Sequence, residues 1–91
     1  MNDYKMAIPE ANALMDEGVA MLENIENSTE EFHKTLEYTE QAMDKLKQAG
    51  KLVHKKYPSL IHMISYAQTH APARFHNNIN HAWSGIGEWN A

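Results

Sequence analysis

The chain has 91 residues, a formal net charge of −4 and no cysteine. That length predicts one domain with a modest core that self-association would supplement, and the missing thiols exclude disulfides, thiolate nucleophiles and thiolate metal sites. No segment approaches the ~20 apolar residues of a membrane span, and the opening MNDYKMAIPEAN lacks the long apolar run of a signal peptide, so a soluble, cytoplasmic protein is expected.

The first predicted helix covers 9–26. Pro9 suits a first helical turn, where its missing N–H costs nothing. Ala11, Leu14, Met15, Val19, Leu22 and Ile25 then recur at helical spacing. Asn24 and Asn27 weaken the end.

The second helix is predicted over 29–56. Ser28 and Glu31 form a Ser-x-x-Glu capping box. Phe32, Leu36, Met43, Leu46 and Val53 make its apolar stripe, and Glu30 with Lys34 is a favourable i,i+4 pair. Acids crowd its front and lysines its back, the order that a helix dipole favours. Gly50 either sits mid-helix at a cost of about 1 kcal/mol against alanine or closes the helix. Length favours closure: 9–26 spans about 27 Å and 30–49 about 30 Å at 1.5 Å per residue, a matched antiparallel hairpin.

Tyr57-Pro58 ends that segment. A third helix is expected at 58–69, with Leu60, Ile61, Ile64 and Ala67 inward. Ala71-Pro72 breaks the chain again, and a fourth follows at 72–84. Its apolar face is Phe75, Ile79, Ala82, Trp83 and Ile86. Gly85 and Gly87 stop it.

A 4-3 alternation of positions runs from Tyr4 to Ala71, and sixteen of its twenty positions are apolar; Gly18, Thr29, Thr39 and Gly50 are the others. A heptad repeat of that length predicts coiled-coil-like packing, and the prolines divide it among several helices. No alternating β pattern occurs. The expected fold is all-α: a small helical bundle of one domain, 1–91, built on an antiparallel helical hairpin with two shorter C-terminal helices.

Charge divides the chain. Residues 1–44 hold eleven acids and two bases, a balance of −9; residues 45–91 hold one acid and six bases, a balance of +5, and five of the six histidines. The plainer reading is a bundle whose charged faces are solvated or meet. The sharper one is a basic site for an anion. Lys47, Lys51, His54 and Lys55 lie three or four apart and align on one helix face, and Arg74 opens the fourth helix. These residues would hold phosphates, with Tyr57 or Phe75 stacking on a base. Duplex nucleic acid is not expected as a partner, because the acidic half would repel it.

No two histidines have the i,i+3 or i,i+4 spacing of a helical metal site. Glu30-x-x-His33, with Glu37 at i+4 from the histidine, matches one Glu-x-x-His unit of di-iron bundles. The second unit and the further inward glutamates are missing. No metal or other cofactor is expected. Gly-x-Ser-x-Gly and Gly-rich phosphate loops are absent, and no enzyme is expected. Met15, Met21, Met43 and Met63 read as ordinary core ahead of an adaptable binding surface. Trp83 falls on the apolar face of its helix, where core is the default. Trp83, Ile86 and Trp89 together are the expected contact residues of an interface.

Trp83-Ser84-Gly85 resembles the Trp-x-Gly tripeptide of the small helical proteins secreted by type VII systems, and size, acidity and helicity are similar. That family carries the tripeptide in the turn of one long hairpin, near mid-chain, and has a C-terminal Tyr-x-x-x-Asp signal that is absent here. Small helical phage proteins that inhibit host defence, including those that sequester nucleotide signals, have a similar build. The expected function is that of a non-enzymatic interaction protein, a small regulator or inhibitor, phage- or plasmid-encoded, acting through homo-oligomer and protein-partner contacts. The rival is an oligomeric binder that sequesters a small anionic ligand such as a nucleotide.

Overall fold

A computed structural model describes residues 8–27, 32–57 and 60–86, with side chains from residue 35 onward in the second segment. The described residues form four α-helices and no strand: α1 (Pro9–Glu26), α2 (Phe32–His54), α3 (Ile61–His70) and α4 (His76–Trp83), with a single 3-10 turn, Ala73–Phe75, leading into α4. The chain is thus an all-α helical bundle, and the α1/α2 hairpin is its largest packing unit.

α1 begins with Pro9 in its first turn and ends at Asn27, whose N–H bonds back to the Glu23 and Ile25 carbonyls. Ala11, Met15, Val19, Leu22 and Ile25 are all buried along one face, and Leu14 is half-buried at its edge. α2 lies antiparallel to it. Gly18 of α1 faces Ala42 and Leu46 of α2, and Lys45 reaches Glu17 at 3.2 Å. In α3, Tyr66 donates to Asp16 of α1 at 3.0 Å. The turn after α3 lies beside the end of α1, where Arg74 meets Glu26 at 3.5 Å. α3 therefore runs in the same sense as α1, and α4 returns along α2 to bring Trp83 against Leu46 and Gly50.

α2 corrects the expected division at Gly50. It is continuous from Phe32 to His54, and only Lys55 and Lys56 turn out of it, with the Lys56 and Tyr57 amides both bonding to the Val53 carbonyl. Gly50 is a notch. A β-carbon there would stand 2.8 Å from Trp83 Cδ1 and 2.9 Å from Nε1. The indole occupies the missing side chain's place, and its burial offsets the ~1 kcal/mol propensity cost of glycine. The capping box at Ser28 and Glu31, and Pro58, lie outside the described residues.

Other boundaries also shift. α3 starts at Ile61 rather than 58, with Leu60 at its N-cap. Leu60 is fully buried, while Ile61, expected inward, is 39% exposed. The fourth helix opens as the 3-10 turn and becomes α-helical only at His76, whose Nε2 lies 2.9 Å from the Ala71 carbonyl. Leu36, counted in the apolar stripe of α2, is 52% exposed.

The two glycines among the heptad exceptions share one use. Gly18 and Gly50 are both buried, and each lets a large neighbour approach the helix backbone. A β-carbon on Gly18 would lie 2.7 Å from Leu46 Cγ, 2.8 Å from Cδ2 and 3.3 Å from the Ala42 carbonyl oxygen. Leu46 is fully buried and has nowhere to withdraw. Gly18→Ala is therefore expected to lose about 1–3 kcal/mol by overpacking, against the ~1 kcal/mol gain that helix propensity alone predicts. Urea denaturation reads the sign directly.

Candidate functional site

The chemistry-bearing side chains of α2 lie on its outer face. At 3.6 residues per turn, Ala42, Leu46, Ala49 and Val53 point into the bundle, and all four are buried. One flank is closed by α1, through Lys45 and Glu17. The other is closed by α4, through Trp83 at Gly50. Between the flanks, Glu37, Glu40, Asp44, Lys47 and Lys51 fall within a sector of about 80° on the side opposite Leu46; Lys55 continues the row one residue past the helix, its amide bonded to the Lys51 carbonyl, and all six are exposed. The three acids come first and the three lysines follow. His54 and Leu36, also exposed, border the same edge of this sector.

Few contacts within the chain engage this row. Gln48 donates to the Asp44 carboxylate at 2.7 Å. Among the described residues, Glu37, Glu40, Lys47, Lys51 and Lys55 form no ion pair. An open hollow of about 490 Å³ lies over the acidic half, lined by Glu37, Glu40, Gln41, Asp44 and Lys45. A second, of about 600 Å³, lies where Glu23–Asn27 of α1 meets His70–Ala73. No side chain in either is both polar and buried.

The residues expected to hold an anion do not converge. Lys47, Lys51, His54 and Lys55 are exposed together on the second half of α2. Arg74 is elsewhere: it meets Glu26 at the last turn of α1, and its guanidinium stands 4.8 Å from the Phe75 ring. Glu26 lies eight residues beyond Gly18, about 12 Å along α1, and in the direction away from Lys51. Both expected stacking rings are engaged in the protein. Phe75 is buried in the core, and Tyr57 is half-buried against it with the Lys56 ammonium 5.8 Å from its centroid.

The expected contact residues separate as well. Trp83 is fully buried inside its own chain, its indole N–H donating to the Leu46 carbonyl at 2.8 Å, so it offers no surface to a partner. Ile86 is half-buried beside it. Trp89 lies outside the described residues. Trp83-Ser84-Gly85 closes α4, with the Ser84 hydroxyl donating to the His81 carbonyl, whereas the hairpin is made by α1 and α2. Of the metal candidates, Glu30 and the His33 side chain lie outside the described residues and Glu37 is exposed. Among the described residues no three His, Asp or Glu side chains converge to hold a metal ion. No described helix is long and apolar enough to cross a membrane.

The acidic half of the α2 face is what reading the sequence missed. Acids and lysines look there like the two ends of one dipole. Only the closure of both flanks shows that they share an exposed face. Comparison with known proteins finds no matching family model, no matching curated protein and no matching solved structure.

Proposed function

We propose that this chain is a non-enzymatic interaction protein, a small regulator or inhibitor, that acts through contacts made by its helix surfaces and foremost by the outer face of α2. The supporting observation is the exposed row from Glu37 to Lys55, in which three acids abut three lysines without ion-pair partners among the described residues. Charge arranged on an exposed surface is suited to recognising another macromolecule's charges. Leu36, exposed at the border of the row, is an apolar companion on the same face.

The second reading keeps the anionic ligand and rests on Lys47, Lys51, His54 and Lys55 alone, since these four are exposed together. Native mass spectrometry of the protein taken from its natural host separates the two. A protein-sized added mass, lost in the Lys47→Glu/Lys51→Glu variant, is expected for the interaction reading. A nucleotide-sized added mass, with a melting shift equivalent to about 2.7 kcal/mol at a hundredfold excess over Kd, overturns it for the ligand reading.

A further inference from the structure

We infer that the outer face of α2 pairs with the same face of a second copy of this chain, antiparallel about a twofold axis. This rests on reading that face as an interaction surface and names its occupant. The motivation is a mirror relation in the charge. Around the midpoint between Lys45 and Leu46, Glu40 stands as far before as Lys51 stands after, and Asp44 as far before as Lys47 after. Glu37 and Lys55 are level to within one residue and lie on the same side of the face; so do Leu36 and His54 on the other side. A twofold interface must be complementary to itself. In this register Glu37 meets Lys55 and Glu40 meets Lys51 directly, while Asp44, about 60° round the helix from Lys47, is met through the length of the lysine side chain; each pairing occurs twice. A parallel pairing in register sets acid on acid and lysine on lysine.

Within the isolated chain the helix dipole accounts for Lys51 and His54, in the last turn of α2, and not for the rest of the segregation. Glu37/Glu40 and Glu40/Asp44 are like-charge pairs at i,i+3 and i,i+4, as are Lys47/Lys51 and Lys51/Lys55 at i,i+4, and each is unfavourable within one helix. The helix dipole acts only over the first and last turns, and Asp44 and Lys47 lie in the middle of α2. Both flanks of the face are closed by α1 and α4, which leaves the row itself clear. Leu36, 52% exposed, gains cover from the His54 ring of the second copy.

Exposed ion pairs are individually weak and screened by salt. The purified chain alone is therefore expected to show a concentration-dependent monomer–dimer equilibrium by sedimentation velocity in low salt, with Kd rising about tenfold or more on going to about 0.5 M salt. The variants Lys47→Glu/Lys51→Glu and Glu40→Lys/Asp44→Lys should each be monomeric, and mixing them in equal amounts should restore a dimer of one of each. Circular dichroism checks that each variant keeps its helices; should either lose them, Lys47→Gln/Lys51→Gln should still weaken the dimer without reversing charge. A wild-type chain that is monomeric in low salt overturns the inference. So does a dimer indifferent to salt, or a mixture that stays monomeric. A chain monomeric alone, yet bound to a different protein from its host through this face, overturns self-pairing and leaves the wider reading standing. Absence of any complex that depends on this face overturns both.

Discussion

Trp83→Ala is expected to lose about 3–5 kcal/mol of stability from truncation of the buried ring and to lower Tm by roughly 12 °C or more. Trp83 is the largest fully buried side chain of the described residues. It joins α4 to α2 by shape, through the gap at Gly50, and by a hydrogen bond, through the Leu46 carbonyl. Losing that bond adds about 1 kcal/mol and no more, because the Leu46 carbonyl keeps its place as acceptor in the α2 ladder. A domain of this size has about 5–14 kcal/mol in all, at 0.05–0.15 per residue, so the variant keeps little margin. Trp83→Phe retains a six-membered ring and should lose only about 1–2 kcal/mol. Urea denaturation of the two variants in a Trp89→Phe background, followed by circular dichroism, checks both. Unchanged melting for Trp83→Ala would mean that Trp83 serves a partner instead of the core.

The hairpin was legible in the sequence because its signals are local. Pro9, the run of apolar residues to Ile25 and the weak Asn24/Asn27 end define α1 without reference to anything else, and the observed bounds are the same. Heptad spacing found the buried face with similar success: Met15, Leu22, Leu46, Val53, Leu60 and Ala67 are all buried. What failed depended on other elements. Leu36 sits on the stripe by number, but it faces solvent at the edge of the charged row, and one strand of periodicity cannot say how far a neighbouring helix extends. Gly50 read as a break because propensity sees only the helix that contains it. The reason for the glycine lies in Trp83, thirty-three residues later.

The candidate site divided along the same line. Lys47, Lys51 and His54 share α2 and Lys55 follows in the turn just past its end, so spacing alone placed the four on one exposed side. Arg74 and Phe75 were added because they open the predicted fourth helix, in the same basic half of the chain, and not by any spacing to these four. The tertiary path takes them instead to the end of α1, where Glu26 neutralises Arg74. A helix start can be read from the chain, whereas placing a binding site requires knowing which other element that start lies beside.

The sharpest test of the architecture is Gly50→Ala. Helix propensity predicts a gain of about 1 kcal/mol. Packing predicts the opposite sign. The new methyl would stand 2.8 and 2.9 Å from two atoms of the indole and 3.3 Å from Ile86 Cδ1. The ring cannot withdraw, since it is fully buried and anchored at Leu46. Overpacking of this kind costs about 1–3 kcal/mol, so a net loss of about 1 kcal/mol is expected, and Gly50→Val should lose more because its second branch meets the same ring. Gly85→Ala is the control: nothing lies within 4 Å of its β-carbon position, its φ is not positive, and stability should stay within about 0.5 kcal/mol of wild type. The decisive comparison is a double-mutant cycle. Alanine at position 83 removes both indole atoms that crowd position 50, so Gly50→Ala in a Trp83→Ala background should become neutral or stabilising, with a coupling of about 1 kcal/mol or more. Additive losses would place the cost of Gly50→Ala in the α2 backbone itself and remove the notch as the reason for the glycine.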